Sequence, residues 1–85
     1  MTNQIKIGEL YRTELFGYLF EEEPNRRRHT DKKYFDKNVI FCLIDKTKLI
    51  HSTYFKLLLP TTGQILYTPT GKEHLFLKHF KLVEL

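Results

Sequence analysis

The segment that most restricts what this chain can become is Tyr54-Phe55-Lys56-Leu57-Leu58-Leu59, Pro60-Thr61-Thr62-Gly63, Gln64-Ile65-Leu66-Tyr67. Two short apolar runs on either side of a Pro-to-Gly tetrapeptide predict a β-hairpin. Gly63 can supply a positive φ, and Pro60 sits where a ladder donor is no longer needed. Upstream, Val39-Ile40-Phe41-Cys42-Leu43-Ile44 is an apolar run of β-branched and aromatic residues, ended by Asp45-Lys46. Its length favours a buried strand over a helix.

The remainder is read around these two strands. Ile5, Ile7, Leu10 and Tyr11 suggest an extended entry with Gly8 as a turn or bulge, and Gly17-Tyr18-Leu19-Phe20 is a further strand. A helix from Glu9 to Phe20 competes, but Gly17 and the aromatic residues after it weaken it. After the break Thr68-Pro69-Thr70-Gly71, the stretch from His74 to Phe80 reads as a short helical turn, because Phe76 and Phe80 at i, i+4 share a face. Lys81 to Leu85 reads as a closing strand. Between these parts, Glu21 to Asn38 holds five acidic and six basic side chains, including Glu21-Glu22-Glu23 and Arg26-Arg27-Arg28. Only Tyr34 and Phe35 in it can bury much surface, so residues 21–38 are expected to form an exposed loop, with that pair covering an open barrel end.

At 85 residues the chain is expected to form a single domain, 1–85, without room for two cores. With 41% hydrophobic and 14% aromatic residues it can still pack an interior. No run approaches the ~18–20 apolar residues of a membrane span, and Met1-Thr2-Asn3-Gln4 does not open a signal peptide, so no membrane partner is expected. The single cysteine, Cys42, excludes an internal disulfide framework and fits a reducing, cytoplasmic setting.

Five or so short strands, a long early loop, a tight hairpin and a helical turn before the last strand describe a small, mostly β barrel. The opening IKIGELYR, the hairpin FKLLLPTTGQILYT and the ending HLFLKHFKLVEL resemble small SH3-like barrel proteins, a plan frequent among short proteins of tailed phages. The resemblance implies a five-stranded barrel and, for a phage protein, the host cytoplasm. Where such proteins often carry a late tryptophan, this chain offers Tyr67 or Phe76. A shared fold of this kind does not carry a shared function.

Catalytic chemistry finds little support in the sequence. Cys42 lies inside an apolar run, unlike the electropositive, accessible setting of a nucleophilic thiolate, and is expected to be buried and structural. Of His29, His51, His74 and His79, none has the i, i+4 spacing that faces two imidazoles one way on a helix, so no metal site is expected. The carboxylates Glu9, Glu14, Asp45, Glu73 and Glu84 are scattered, and Gly63 and Gly71 are lone turn glycines rather than a phosphate loop. A protein without enzymatic activity and without a cofactor is the expectation.

Charge points to binding. The chain carries +4, and dividing it at Asp45 gives eight basic and eight acidic residues before the break, then six basic and two acidic after it. Lys56, Lys72 and Lys78, with Tyr67 nearby, resemble the mixture of charge and rings used by single-stranded nucleic-acid binders. Lysine also guards strand edges, and without arginine in this half the bidentate readers of base edges are missing. Arg26, Arg27 and Arg28 could grip an acidic surface, although Glu21-Glu22-Glu23 can neutralise them. The favoured expectation is a protein-interaction or accessory module, with self-association as one form of it. Arg26, Arg27, Arg28, Lys56, Tyr67, Lys72 and Lys78 are its candidate interaction residues. Non-specific RNA or DNA binding is the alternative.

Overall fold

A computed structural model describes residues 5–24 and 31–84. The chain is mostly β: seven strands form one curled antiparallel sheet, a half-barrel, with a short helix before the last strand. They are β1 (Leu10–Thr13), β2 (Gly17–Phe20), β3 (Lys32–Phe35), β4 (Ile40–Lys48), β5 (Thr53–Leu59), β6 (Gln64–Tyr67) and β7 (Phe80–Leu82). Their order across the sheet is β3-β2-β6-β5-β4-β1-β7, so the last strand joins the sheet beside the first. A single 3-10 turn, Glu73–Leu75, runs into the helix α1, Phe76–His79.

The expected hairpin is present. Leu59 faces Gln64, and the loop closes through N–H groups of Thr62 and Gly63 that donate to the Leu59 carbonyl at 3.2 and 2.8 Å. Gly63 adopts φ 76°, the left-handed conformation that the turn requires. The expected strand at 39–44 is also present, but it does not end at Asp45-Lys46. β4 continues to Lys48, because a bulge between Leu43 and Asp45 bends the strand and the polar continuation keeps pairing with β5. A β strand likewise occupies part of the expected loop at 21–38. Lys32–Phe35 pairs along its whole length with Gly17–Phe20, and Lys33 donates from Nζ to Gln64 Oε1 at 2.6 Å. The strand count is therefore seven, where the sequence suggests five.

The core follows the period-two alternation of these strands. Tyr11, Leu19, Phe41, Leu43, Phe55, Leu57 and Leu66 point to the concave side and are buried. From α1, Phe76 packs onto them, its ring centroid 4.4 Å from Phe55, 5.0 Å from Tyr11 and 4.7 Å from Phe80. The i, i+4 pair Phe76 and Phe80 thus belongs to the core, whereas Leu75 is exposed. Buried aromatic pairs of this kind contribute about 0.5–1.5 kcal/mol beyond their area. Cys42 departs from its expected burial. It lies on the convex side, half-buried in the cross-strand row Leu10, Cys42, Leu58, Ile65.

Thr13 ties the two ends of the sheet together. Its buried Oγ1 donates to the Asp36 carbonyl at 2.7 Å and accepts the Val39 N–H at 2.9 Å. Its own N–H and carbonyl bond to Val39 and Asn38. Asn38 takes φ 67°, a conformation that asparagine tolerates better than most residues, and so turns the chain from β3 into β4. The chain leaving β3 is by this means fixed against β1, next to β7.

Candidate functional site

Among the described residues the seven-stranded antiparallel sheet ends in two edge strands, β3 and β7, that run in the same direction. They converge where Thr13 holds Asp36 and pairs with Phe80, and an apolar cleft of about 460 Å³ opens beside them. One part of its lining comes from β2, β3 and the segment before them, with Phe16, Tyr34 and Phe35 prominent. The other comes from the helical segment and β7, through Leu75, Phe76, His79 and Phe80, while Phe55, Thr68 and Pro69 line it from β5 and the segment after β6. A volume of this size lies within the range of ordinary ligand pockets.

The cleft offers little polar chemistry. Thr13 and Thr68 both commit their hydroxyls to backbone groups, Thr68 Oγ1 accepting the Phe55 N–H at 2.8 Å. Apart from tyrosine, His79 is the titratable side chain of the lining. Among the described residues, no three His, Cys, Asp or Glu side chains gather in one place.

Its rim is aromatic and open to solvent. Phe16 is 66% exposed and Tyr34 58%. Their rings stack at 5.9 Å with an interplanar angle of 11°, and Tyr34 leans on Tyr18 at 5.9 Å. Lys32 places its ammonium 4.7 Å from the Tyr18 ring centre, a cation–π contact at the same rim. Phe16, Tyr18 and Tyr34 thus form one contiguous exposed aromatic patch beside the cleft.

The residues singled out in the sequence are divided among several places. Lys56 and Tyr67 do meet: they face each other across β5 and β6, both half-buried, and Phe20 faces Tyr67 from β2. Lys72 precedes the 3-10 turn and Lys78 lies on α1, both exposed. Arg26, Arg27 and Arg28 lie outside the described residues. The other lysines of the second half are also distributed. Lys46 donates to Glu73 Oε1 at 2.6 Å, and Lys81 lies opposite Arg12 across β7 and β1. The Lys46 hydrogen bond is the main cause holding the Glu73 carboxyl below its usual pKa. Phe16 goes unnoticed in the sequence, Tyr18 is read there only as part of a strand, and Tyr34, expected to cover an open barrel end, instead lies exposed beside Phe16.

No helix among the described residues is long and apolar enough to cross a membrane. Neither a protein-family model, a curated protein nor a solved structure matches the chain.

Proposed function

We propose that this protein is a non-enzymatic interaction module that receives an apolar segment of a protein partner in the cleft between its two sheet edges. The observation that carries the reading is the stacked pair Phe16 and Tyr34, held in solvent at the mouth of an apolar cleft. Aromatic anchors in and around such a pocket are what protein interfaces use for most of their binding energy. The dispersal of the lysines over several parts of the surface favours this reading over a phosphate-tracking groove. A small SH3-like barrel of phage type remains part of the proposal. It is supported by the pairing of first and last strands and by the helical turn that precedes the last strand.

The test uses peptides displayed as a random pool and selected on the immobilised protein, compared with the variants Phe16→Ser and Tyr34→Ser. Both side chains are exposed, so both variants should fold. Selected apolar peptides should lose about tenfold or more in affinity to each variant, the loss expected when an interface anchor is removed. Retention of no peptide by the wild type, or indifference to both substitutions, refutes the proposal. Binding of single-stranded oligonucleotides that weakens steeply with salt and depends on these rings would move the function to nucleic acid.

A further inference from the structure

We infer that the side chain anchoring the partner in the cleft is a tyrosine, its ring set among the cleft's phenylalanines and its phenol hydrogen-bonded to the hydroxyl of Thr53. The inference rests on the protein-interaction reading above and adds the chemistry of the partner's anchor.

Thr53 is the buried polar residue of the lining whose side chain the fold leaves unused. It is 6% exposed and lines the cleft. On β5 it lies two residues before Phe55, and side chains two apart on a strand share a face, here the concave one. Its main chain is fully engaged, the N–H donating to the Gly71 carbonyl at 2.7 Å and the carbonyl accepting the Gly71 N–H at 3.1 Å. Its hydroxyl, unlike those of Thr13 and Thr68, bonds to no other described group. Every fully buried side-chain nitrogen or oxygen among the described residues has a hydrogen-bond partner. The Thr53 hydroxyl, lacking one, therefore keeps contact with the open space of the cleft.

That hydroxyl decides what can fill the cleft. Solvent serves it while the cleft is open. A segment that closes the cleft with hydrocarbon alone strands it, at a cost of about tenfold in affinity. The favoured occupant is apolar along its body and polar at its inner end. The body meets rings: Phe55 and Phe76 lie 4.4 Å apart, with Phe35 and Phe80 in the same lining. An aromatic body gains most from such neighbours. Serine and threonine bring a hydroxyl without the body, whereas leucine and phenylalanine bring the body without the hydroxyl. A charged side chain would lose its hydration in a lining whose ionisable group, tyrosine aside, is the exposed His79. Tryptophan carries its N–H on the flank of the ring, and tyrosine carries its hydroxyl at the far end. A threonine hydroxyl both donates and accepts, so it can meet the phenol in either sense. The stacked Phe16 and Tyr34 line the mouth of this same cleft and flank the anchor as it enters.

Two display pools of otherwise random nonapeptides test the inference, one with tyrosine and one with phenylalanine fixed at the central position. The tyrosine pool should be the more enriched on the immobilised protein. In a selected peptide, replacing the central tyrosine by phenylalanine should weaken binding to the wild type about tenfold. The same replacement should cost less than about twofold against Thr53→Val, and again about tenfold against Thr53→Ser, which keeps the hydroxyl. Because the hydroxyl has no partner within the fold, Thr53→Val should be at least as stable as the wild type in urea titration. Equal enrichment of the two pools, or an undiminished preference for tyrosine in Thr53→Val, overturns the tyrosine anchor while leaving the interaction reading intact. A Thr53→Val variant clearly less stable than the wild type shows the hydroxyl serving the fold, and overturns it equally. Retention of neither pool removes the interaction reading itself.

Discussion

Thr13→Val is the substitution that most directly tests how the half-barrel holds its two edges together. Valine keeps the shape of threonine and removes the hydroxyl, which in the native protein donates to the Asp36 carbonyl and accepts from the Val39 N–H. Asp36 is exposed, so its carbonyl can recover water and that loss is small. Val39 is half-buried beside the core, and its N–H loses its side-chain acceptor, a group whose desertion costs about 1–3 kcal/mol when buried. The combined destabilisation should be roughly 2 kcal/mol. For a domain of this size that corresponds to a fall in Tm of roughly 8–16 °C. Thr13→Ser keeps the hydroxyl and deletes one methyl, which costs about 1 kcal/mol. Urea titration measures both, and amide exchange separates them: the Val39 N–H should exchange faster in Thr13→Val and stay protected in Thr13→Ser. Equal stabilities for Thr13→Val and the wild type, or unchanged exchange at Val39, would refute the reasoning that this hydroxyl fixes the end of β3.

Further outcomes follow from other parts of the fold. Phe41→Ala removes a fully buried ring that touches Phe35 and Phe80, and should cost about 3–5 kcal/mol in urea titration, enough to leave much of the protein unfolded at 25 °C. Gly63→Ala meets no neighbouring atom within 4 Å, so its cost is the positive φ alone, about 1 kcal/mol in the same measurement. Glu73, bonded to Lys46 at the surface, should regain an ordinary carboxylate titration by NMR in Lys46→Met. Because its folded pKa is lowered, the pair stabilises the fold above the unfolded pKa, and that contribution is lost as pH falls through the folded value. Solvent screening limits it to under about 1 kcal/mol.

The hairpin β5–β6 and the turn before β7 are legible in the sequence because their causes are local. A Pro-to-Gly loop stands between apolar runs, and two phenylalanines lie four residues apart. β3 is not legible, since Lys32-Lys33-Tyr34-Phe35 has no apolar alternation, and it becomes a strand through Gly17–Phe20 lying beside it. The extension of β4 past Asp45 is hidden for a related reason: the bulge at Leu43/Asp45 preserves pairing where polar residues suggest an end. Lys56 and Tyr67 were found through their residue types, and register then made them neighbours. The cleft depends on elements far apart in sequence, so neither Phe16 nor His79 carries a local sign of sharing a site.

The pairing of β1 with β7 has a consequence for how the molecule is made. Tyr11 faces Leu82, so the first strand cannot complete its ladder until almost all of the described chain is available. The hairpin β5–β6 can form early, whereas closing the span from Leu10–Thr13 to Phe80–Leu82 incurs the loop-closure entropy of nearly the whole chain. Non-local pairing of this kind slows folding relative to helical domains of similar size. It also leaves the β7 side of β1 without its partner until the last strand is made, although Leu10 can already face Cys42 of β4.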